Sequence, residues 1–146
     1  MNLVIVESPA KCAKIESYLG AGYKCIASFG HIREIADGLK SIDFGNNYRV
    51  SFKTAKGKAK YISNIRKAIS NAKEVILATD DDREGEAIAW HICKMFKLPL
   101  KSTKRIIFHE ITKPAIRAAI QNPTVLDINK VNAQQARQVL DLLVGF

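Results

Sequence analysis

Two short apolar runs, Leu3–Val6 and Val75–Ala78, each reach a carboxylate within two residues, Glu7 after the first and Asp80 after the second. A run that is apolar at every position suits a strand covered on both faces, whereas a strand half exposed to water alternates apolar and polar side chains. A helix start follows each run. Ser8 is a good N-cap, Pro9 is tolerated in a first turn, and Ala13, Ile15, Tyr18 and Leu19 give the next helix an apolar side that Gly20 ends. After the second run, Glu84–Phe96 reads as a helix with Ala87, Ile88, Ile92, Met95 and Phe96 on its apolar side.

Elsewhere, Tyr23–Phe29 reads as a weaker strand, and residues 30–47 as a loop region punctuated by Gly38 and Gly45. From Lys53 to Lys73 there are seven basic residues and no acid, with Ile62, Ile65 and Ile69 at helical spacing, so a basic amphipathic helix with a loop in front is expected. Arg105–Phe108 reads as a further strand, Ala115–Gln121 as a helix, and Asn129–Phe146 as a last segment with Val131, Val139, Leu140, Leu143 and Val144 at roughly helical spacing. Alternation of strand and helix predicts an α/β fold whose mostly parallel sheet is flanked by helices. In such sheets ligands bind beyond the carboxyl ends of the strands, where Glu7 and Asp80 both fall.

Residues 80–86 hold five acids and one arginine, Asp80, Asp81, Asp82, Arg83, Glu84 and Glu86 around Gly85, so the rest of the 146-residue chain carries a charge of +13. Two carboxylates about 4 Å apart repel by roughly 4 kcal/mol at the effective dielectric of a protein surface, and a bound cation turns that repulsion into attraction. Asp80, Asp82 and Glu84 on a turn leaving a strand suit magnesium, which takes few protein carboxylates and keeps positions for phosphate oxygens. The alternative is that these acids only cap a helix N-terminus, favoured there by the macrodipole. Glu7, at the end of a different strand, is not explained by capping. Lys11, one helical turn beyond it, stands where an ammonium could meet a phosphate. A basic body around an acidic focus favours a polyanionic partner, nucleic acid first. The basic segment Lys56–Lys73 is a weaker pointer, since charge runs are commonly solvated faces.

No stretch approaches the roughly 20 apolar residues of a membrane span, and the N-terminus lacks the order of a signal peptide, so a cytoplasmic chain is expected, with no membrane partner. Cys12, Cys25 and Cys93 lack zinc spacing and cannot all pair, so free thiols are expected. His31, His91 and His109 are scattered and complete no metal cluster with them.

Leu3–Lys11 with its Glu7-Ser8-Pro9-Ala10-Lys11, Gly30-His31-Ile32-Arg33, and Ala78–His91 with its Asp80-Asp81-Asp82-Arg83-Glu84 together resemble the type IA DNA topoisomerases. Arg105–Phe108, Glu110-Ile111-Thr112 and Val131–Arg137 continue the resemblance in family order through nearly the whole chain. It implies a Toprim domain, a Rossmann-like fold, over residues 1–122, with residues 123–146 opening a helical domain that is cut short. It also implies an ATP-independent isomerase that relaxes negatively supercoiled DNA as a monomer, nucleoid-associated if bacterial, cutting one strand through a tyrosine linked to the 5′ phosphate. On that basis Glu7, Asp80, Asp82 and Glu84 would hold Mg2+. Glu7 would handle the proton of the leaving 3′ hydroxyl, and Lys11 would stabilise developing charge. His31, Arg105, Arg137 and Gln138 fall at family positions near DNA or the active centre.

Tyr18, Tyr23, Tyr48 and Tyr61 all lack the sequence setting of the family nucleophile, so this chain alone is expected not to cleave. Ala136-Arg137-Gln138 and Asp141-Leu142 stand where many bacterial members carry two further arginines. Their loss should weaken DNA binding and flatten its salt dependence by about two units of slope at most. Phe146 stands where a tyrosine is common. A stand-alone Toprim nuclease or primase-like protein, or a non-catalytic nucleic-acid-binding module, are the competing readings. Asn132–Arg137 counts against the first and Glu7 with Lys11 against the second.

Overall fold

Side chains of the first apolar run divide between two cores, Leu3 and Ile5 into one and Val4 and Val6 into the other, all at most 1% exposed. The computed structural model describes residues 1–35, 42–43, 49–50 and 52–144. In chain order it has β1 (Asn2–Val6), a 3-10 turn (Pro9–Lys11), α1 (Cys12–Leu19), β2 (Tyr23–Ala27), β3 (Arg33–Ile35), β4 (Ile42–Asp43) and β5 (Arg49–Val50). There follow β6 (Phe52–Thr54), α2 (Ala59–Ser70), β7 (Glu74–Leu77), α3 (Arg83–Met95), β8 (Lys104–Arg105), α4 (Lys113–Gln121) and α5 (Ile128–Val144).

The main sheet has the order β2-β1-β7-β8, and every neighbouring pair is parallel. On one face, Leu3, Ile5 and Leu77 pack with Ile62 and Ile65 of α2 and with Ile88, Ala89 and Ile92 of α3. On the other, Val4, Val6, Ile76 and Ala78 pack with Ile15 of α1 and with Ile116 and Ala119 of α4. Burial of each Val, Leu or Ile side chain among them is worth about 1.5–3 kcal/mol, and burial on both faces explains strands with no polar alternation. The doubly wound α/β architecture is therefore as the apolar runs require.

The two crossovers that leave the sheet centre run on opposite faces, α1 between β1 and β2 and α2 on the way to β7. Between β1 and β7 the strand order reverses direction, which opens a crevice at their carboxyl ends. Glu7 and Asp80 stand at that crevice.

Several elements differ from their expected form. The stretch expected to be loop contains β3, which pairs antiparallel with β6 through Arg33↔Thr54, Glu34↔Lys53 and Ile35↔Phe52. β4 and β5 form a second small antiparallel pair, Ile42↔Val50 and Asp43↔Arg49. Much of that expected loop, with Gly38 and Gly45, lies outside the described residues, as do Tyr48 and Phe146. The strand expected at Arg105–Phe108 is shorter and earlier, because the ladder against β7 ends where Ile106 N–H donates to Leu77 O. On α1, Ala13 is exposed and Cys12 packs inward with Ile15. All three cysteines are free, Cys25 and Cys93 buried and Cys12 half-buried.

Beyond α4 the chain stays against the main sheet. Thr124 exchanges backbone hydrogen bonds with Arg105, and Leu126 and Val131 are buried. Further along α5, Leu140 and Val144 stand 61% and 71% exposed. Among the described residues no helix is long and apolar enough to cross a membrane.

Candidate metal and phosphate centre

Pairing of β7 with β1 continues one step past the strand, Ala78 N–H donating to Ile5 O, and the chain then turns sharply through Thr79–Asp82 into α3. Three contacts set the turn. Thr79 Oγ1 donates to Gly85 O at 2.6 Å, and Asp82 Oδ1 accepts from Gly85 N–H at 2.6 Å as the N-cap of α3. Gly85 itself lies so close beneath the turn that a Cβ there would sit 1.9 Å from Asp80 O. Only glycine permits this approach.

The turn is held from behind by Arg105. Its guanidinium donates to Glu86 Oε1 at 2.7 Å, to Thr79 O at 2.6 Å, to Ile106 O at 3.3 Å and to Asp80 O at 2.7 Å. Both partners of the Arg105–Glu86 ion pair are at most 1% exposed, and Glu86 Oε2 also accepts Asp127 N–H at 3.0 Å. The resemblance puts Arg105 near DNA or the active centre; in the structure it is fully buried, with four of its five N–H donors on protein acceptors, directly behind the acidic turn. It is a positioning residue for Asp80.

Glu7 crosses from β1 to meet the same turn, its Oε1 accepting Asp80 N–H at 2.8 Å. Burial raises the Glu7 carboxyl above its ordinary range. The Asp80 N–H opposes the rise, and repulsion from Asp80, Asp82 and Glu84 adds to it. That repulsion places all four carboxylates in one electrostatic neighbourhood. Lys11 Nζ reaches Asp80 Oδ1 at 3.4 Å, so the lysine stands over the crevice beside both acids.

At the rim, His31 Nε2 lies 3.3 Å from Glu84 Oε1. Behind His31 the buried His91 packs edge-on against the rings of Phe52, Trp90 and His31 itself. Asp81 points away from the others, with Lys130 Nζ at 3.0 Å and His109 Nε2 at 3.8 Å, and the Lys130 bond holds its carboxyl below the ordinary range. Arg137 lines an open cleft of about 430 Å³ with Asp82, Arg83, Glu84 and Gln134. Gln138 is half-buried and outside that lining.

The sequence pattern pointed to Glu7, Lys11 and the acidic turn at neighbouring strand ends, and the resemblance added His31 and Arg137; in the structure Glu7 and Lys11 both meet Asp80, His31 meets Glu84, and Arg137 shares a cleft with Asp82 and Glu84. Sequence reasoning missed Gly85, the support by Glu86, and the Lys130–Asp81 pair. The signal for Glu86 was present: Ala89, Trp90 and Cys93 lie three, four and seven residues on, so helical periodicity puts Glu86 on the buried side of α3.

Among the described residues no three acidic, imidazole or thiol groups converge closely enough to hold a metal. Asp82 is engaged as a cap and Glu84 with His31, so helix capping accounts for one of the acids. The donor chemistry nonetheless fits magnesium, since the crevice offers hard carboxylate oxygens that repel one another.

The Toprim domain family model matches residues 2–111. A solved structure of full-length topoisomerase I from Thermotoga maritima superposes with a TM-score of 0.89 at 40% sequence identity, over 98% of this chain. The chain spans 24% of the length of that protein. Match and superposition agree with the Toprim portion of a type IA topoisomerase, and the chain belongs to the Toprim domain family.

Proposed function

We propose that this chain is the magnesium-binding Toprim domain of a type IA DNA topoisomerase, which relaxes negatively supercoiled DNA by transient single-strand cleavage, strand passage and religation. The observation that carries the reading is Glu7 drawn onto Asp80 N–H with Lys11 on the same aspartate, two strand ends and a cation at one crevice. Similarity to topoisomerase I over nearly the whole chain supports it.

Glu7, Asp80, Asp82 and Glu84 would hold the cation. Bound magnesium would neutralise phosphate oxygens and so let DNA approach four carboxylates. Glu7, with its raised affinity for a proton, is suited to deliver one to a departing 3′ hydroxyl and take it back on religation. Lys11 supplies fixed positive charge to the phosphate, and Arg105 keeps the Asp80 turn from moving as charge shifts. Of the described tyrosines, Tyr61 is stacked on Phe29 and Tyr18 and Tyr23 pack against the core cluster of β1, which supports a nucleophile from outside this chain. The tyrosine would come from the remaining domains, and the exposed Leu140, Leu143 and Val144 on α5 offer them an apolar surface.

The test is end-labelled single-stranded DNA with Mg2+, incubated with this chain alone and with the tyrosine-bearing remainder, then run on a denaturing gel. Intact DNA alone and protein-linked DNA with the remainder, lost in Asp80→Asn, is the expected result. Cutting by this chain alone without an adduct would replace the reading with a metal-dependent nuclease.

A further inference from the structure

We infer that Phe29, Tyr61 and Lys58 form a nucleobase-stacking subsite beside Glu7, which holds the base of a nucleotide whose phosphate lies at Glu7 and Lys11. The inference rests on the DNA reading above and adds a named contact to it.

Phe29 follows β2 in the left-handed region, at φ 58°, and Gly30 beside it is at φ 82°. Its backbone is tied on both sides to the end of β1, Ser28 N–H donating to Val6 O at 2.8 Å and Gly30 N–H to Glu7 O at 3.2 Å. A phenylalanine adopts this conformation less readily than glycine or asparagine. The result is a large apolar ring fixed next to Glu7 and still 37% exposed.

Tyr61, in the first turn of α2, stacks on that ring with centroids 4.0 Å apart and planes inclined by 22°. Lys58 completes the wall: its ammonium donates to Phe29 O and lies 5.5 Å from the centre of the Tyr61 ring. Together with Glu7, Ser8, Pro9 and Gly30 these residues line an open cleft of about 470 Å³.

The cleft is therefore lined by an acidic residue, a stacked aromatic pair and an ammonium that touches both members of that pair. A nucleotide suits all three. Its base has a flat apolar face to cover the rings, its phosphates are drawn to Lys58, and its neighbouring phosphate falls toward Lys11 and the acidic turn. Stacking tolerates any base, so the subsite adds affinity and register without sequence preference. It also gives part of the basic stretch before α2 a specific place, at Lys58.

The experiment measures binding of short single-stranded oligodeoxynucleotides in Mg2+, with one abasic position moved stepwise along the strand. One abasic position is expected to weaken binding about tenfold, the size of a single base–aromatic stack. That same position should lose its effect in Phe29→Leu and regain it in Phe29→Trp, with unchanged thermal melting as the check on folding. A flat abasic profile, with binding that still falls in Lys11→Ala, overturns the subsite and leaves the topoisomerase reading standing. Binding that ignores both the abasic scan and Lys11→Ala, or no binding to any oligonucleotide, overturns both.

Discussion

The backbone N–H of Asp80 donates to Glu7 Oε1 across 2.8 Å, joining the ends of the two strands that flank the switch point of the sheet. An ionised glutamate is thereby held among three other carboxylates, which is tolerable without metal but not favourable.

Glu7→Gln keeps an oxygen for Asp80 N–H and removes the charge. Because the folded-state affinity of Glu7 for a proton is raised, its favourable contribution is full below the ordinary value of 4.5 and is lost as pH rises through the folded value. At pH 7 without metal, Glu7→Gln should therefore melt above the parent chain, with the difference closing as pH falls towards 4.5. Magnesium should invert the order. At a hundredfold excess over Kd a single bound cation adds about 2.7 kcal/mol to the parent, and Glu7→Gln should gain less. Equal melting shifts with Mg2+ in both proteins would remove Glu7 from the ligand set.

Arg105 and Glu86 predict a different signature, since both are buried and neither faces the crevice. Removing one partner of such a pair leaves an uncompensated charge, so Arg105→Met should cost about 3–5 kcal/mol in urea unfolding. Glu86→Gln should add much less in that background than alone, because the two share one interaction. Arg105→Lys should rescue poorly, because an ammonium cannot reproduce the fork that meets the carboxylate and the carbonyls of Thr79 and Asp80. A loss below about 1 kcal/mol for Arg105→Met would mean the turn stands without its support.

The contrast between Glu7 and Arg105 shows what was legible in the sequence. Two apolar runs ending in acids fix where strand ends fall, and parallel pairing then brings Glu7 and Asp80 together whatever their side chains do. Charge, by contrast, carries no information on burial. Arg105 follows Lys104 and precedes Ile106-Ile107, and only the sheet register places it under the acidic turn while Lys104 stays at the surface with Glu74. β3 and β6 were illegible for another reason: three residues such as Arg33-Glu34-Ile35 are too few to display a period, and their pairing depends on a partner about twenty residues away.

His91 is 2% exposed, and among the described residues its Nδ1 has no hydrogen-bond partner. Burial pushes its pKa down to about 3, with Arg33 and His31 repelling the charged form. The unfolded chain therefore binds more protons than the folded one between about pH 6.5 and 3, and stability falls as pH drops through that window. The slope should approach 1.4 kcal/mol per pH unit. His91→Phe keeps a ring against Phe52 and Trp90 and has no proton to bind, so its urea midpoint should change less between pH 7 and pH 5 than that of the parent. Parallel curves for the two proteins would show that the imidazole titrates normally in the fold.

Arg137 and Gln138 test the path of DNA along α5. Arg137 is exposed at the cleft that contains Asp82 and Glu84, so a strand reaching the acidic turn from that side passes it. Each phosphate neutralised contributes about 0.7 to the slope of log K against log salt on single strands. Arg137→Ala should flatten the slope by about that amount and weaken binding to all sequences alike, the behaviour of a backbone contact. Gln138→Arg should steepen it by a similar amount if the strand follows the helix, because it adds a second cation beside Arg137. An unchanged slope for Gln138→Arg beside a flattened one for Arg137→Ala would mean that DNA crosses α5 at Arg137 and leaves it there, since Gln138 is half-buried and outside the cleft lining.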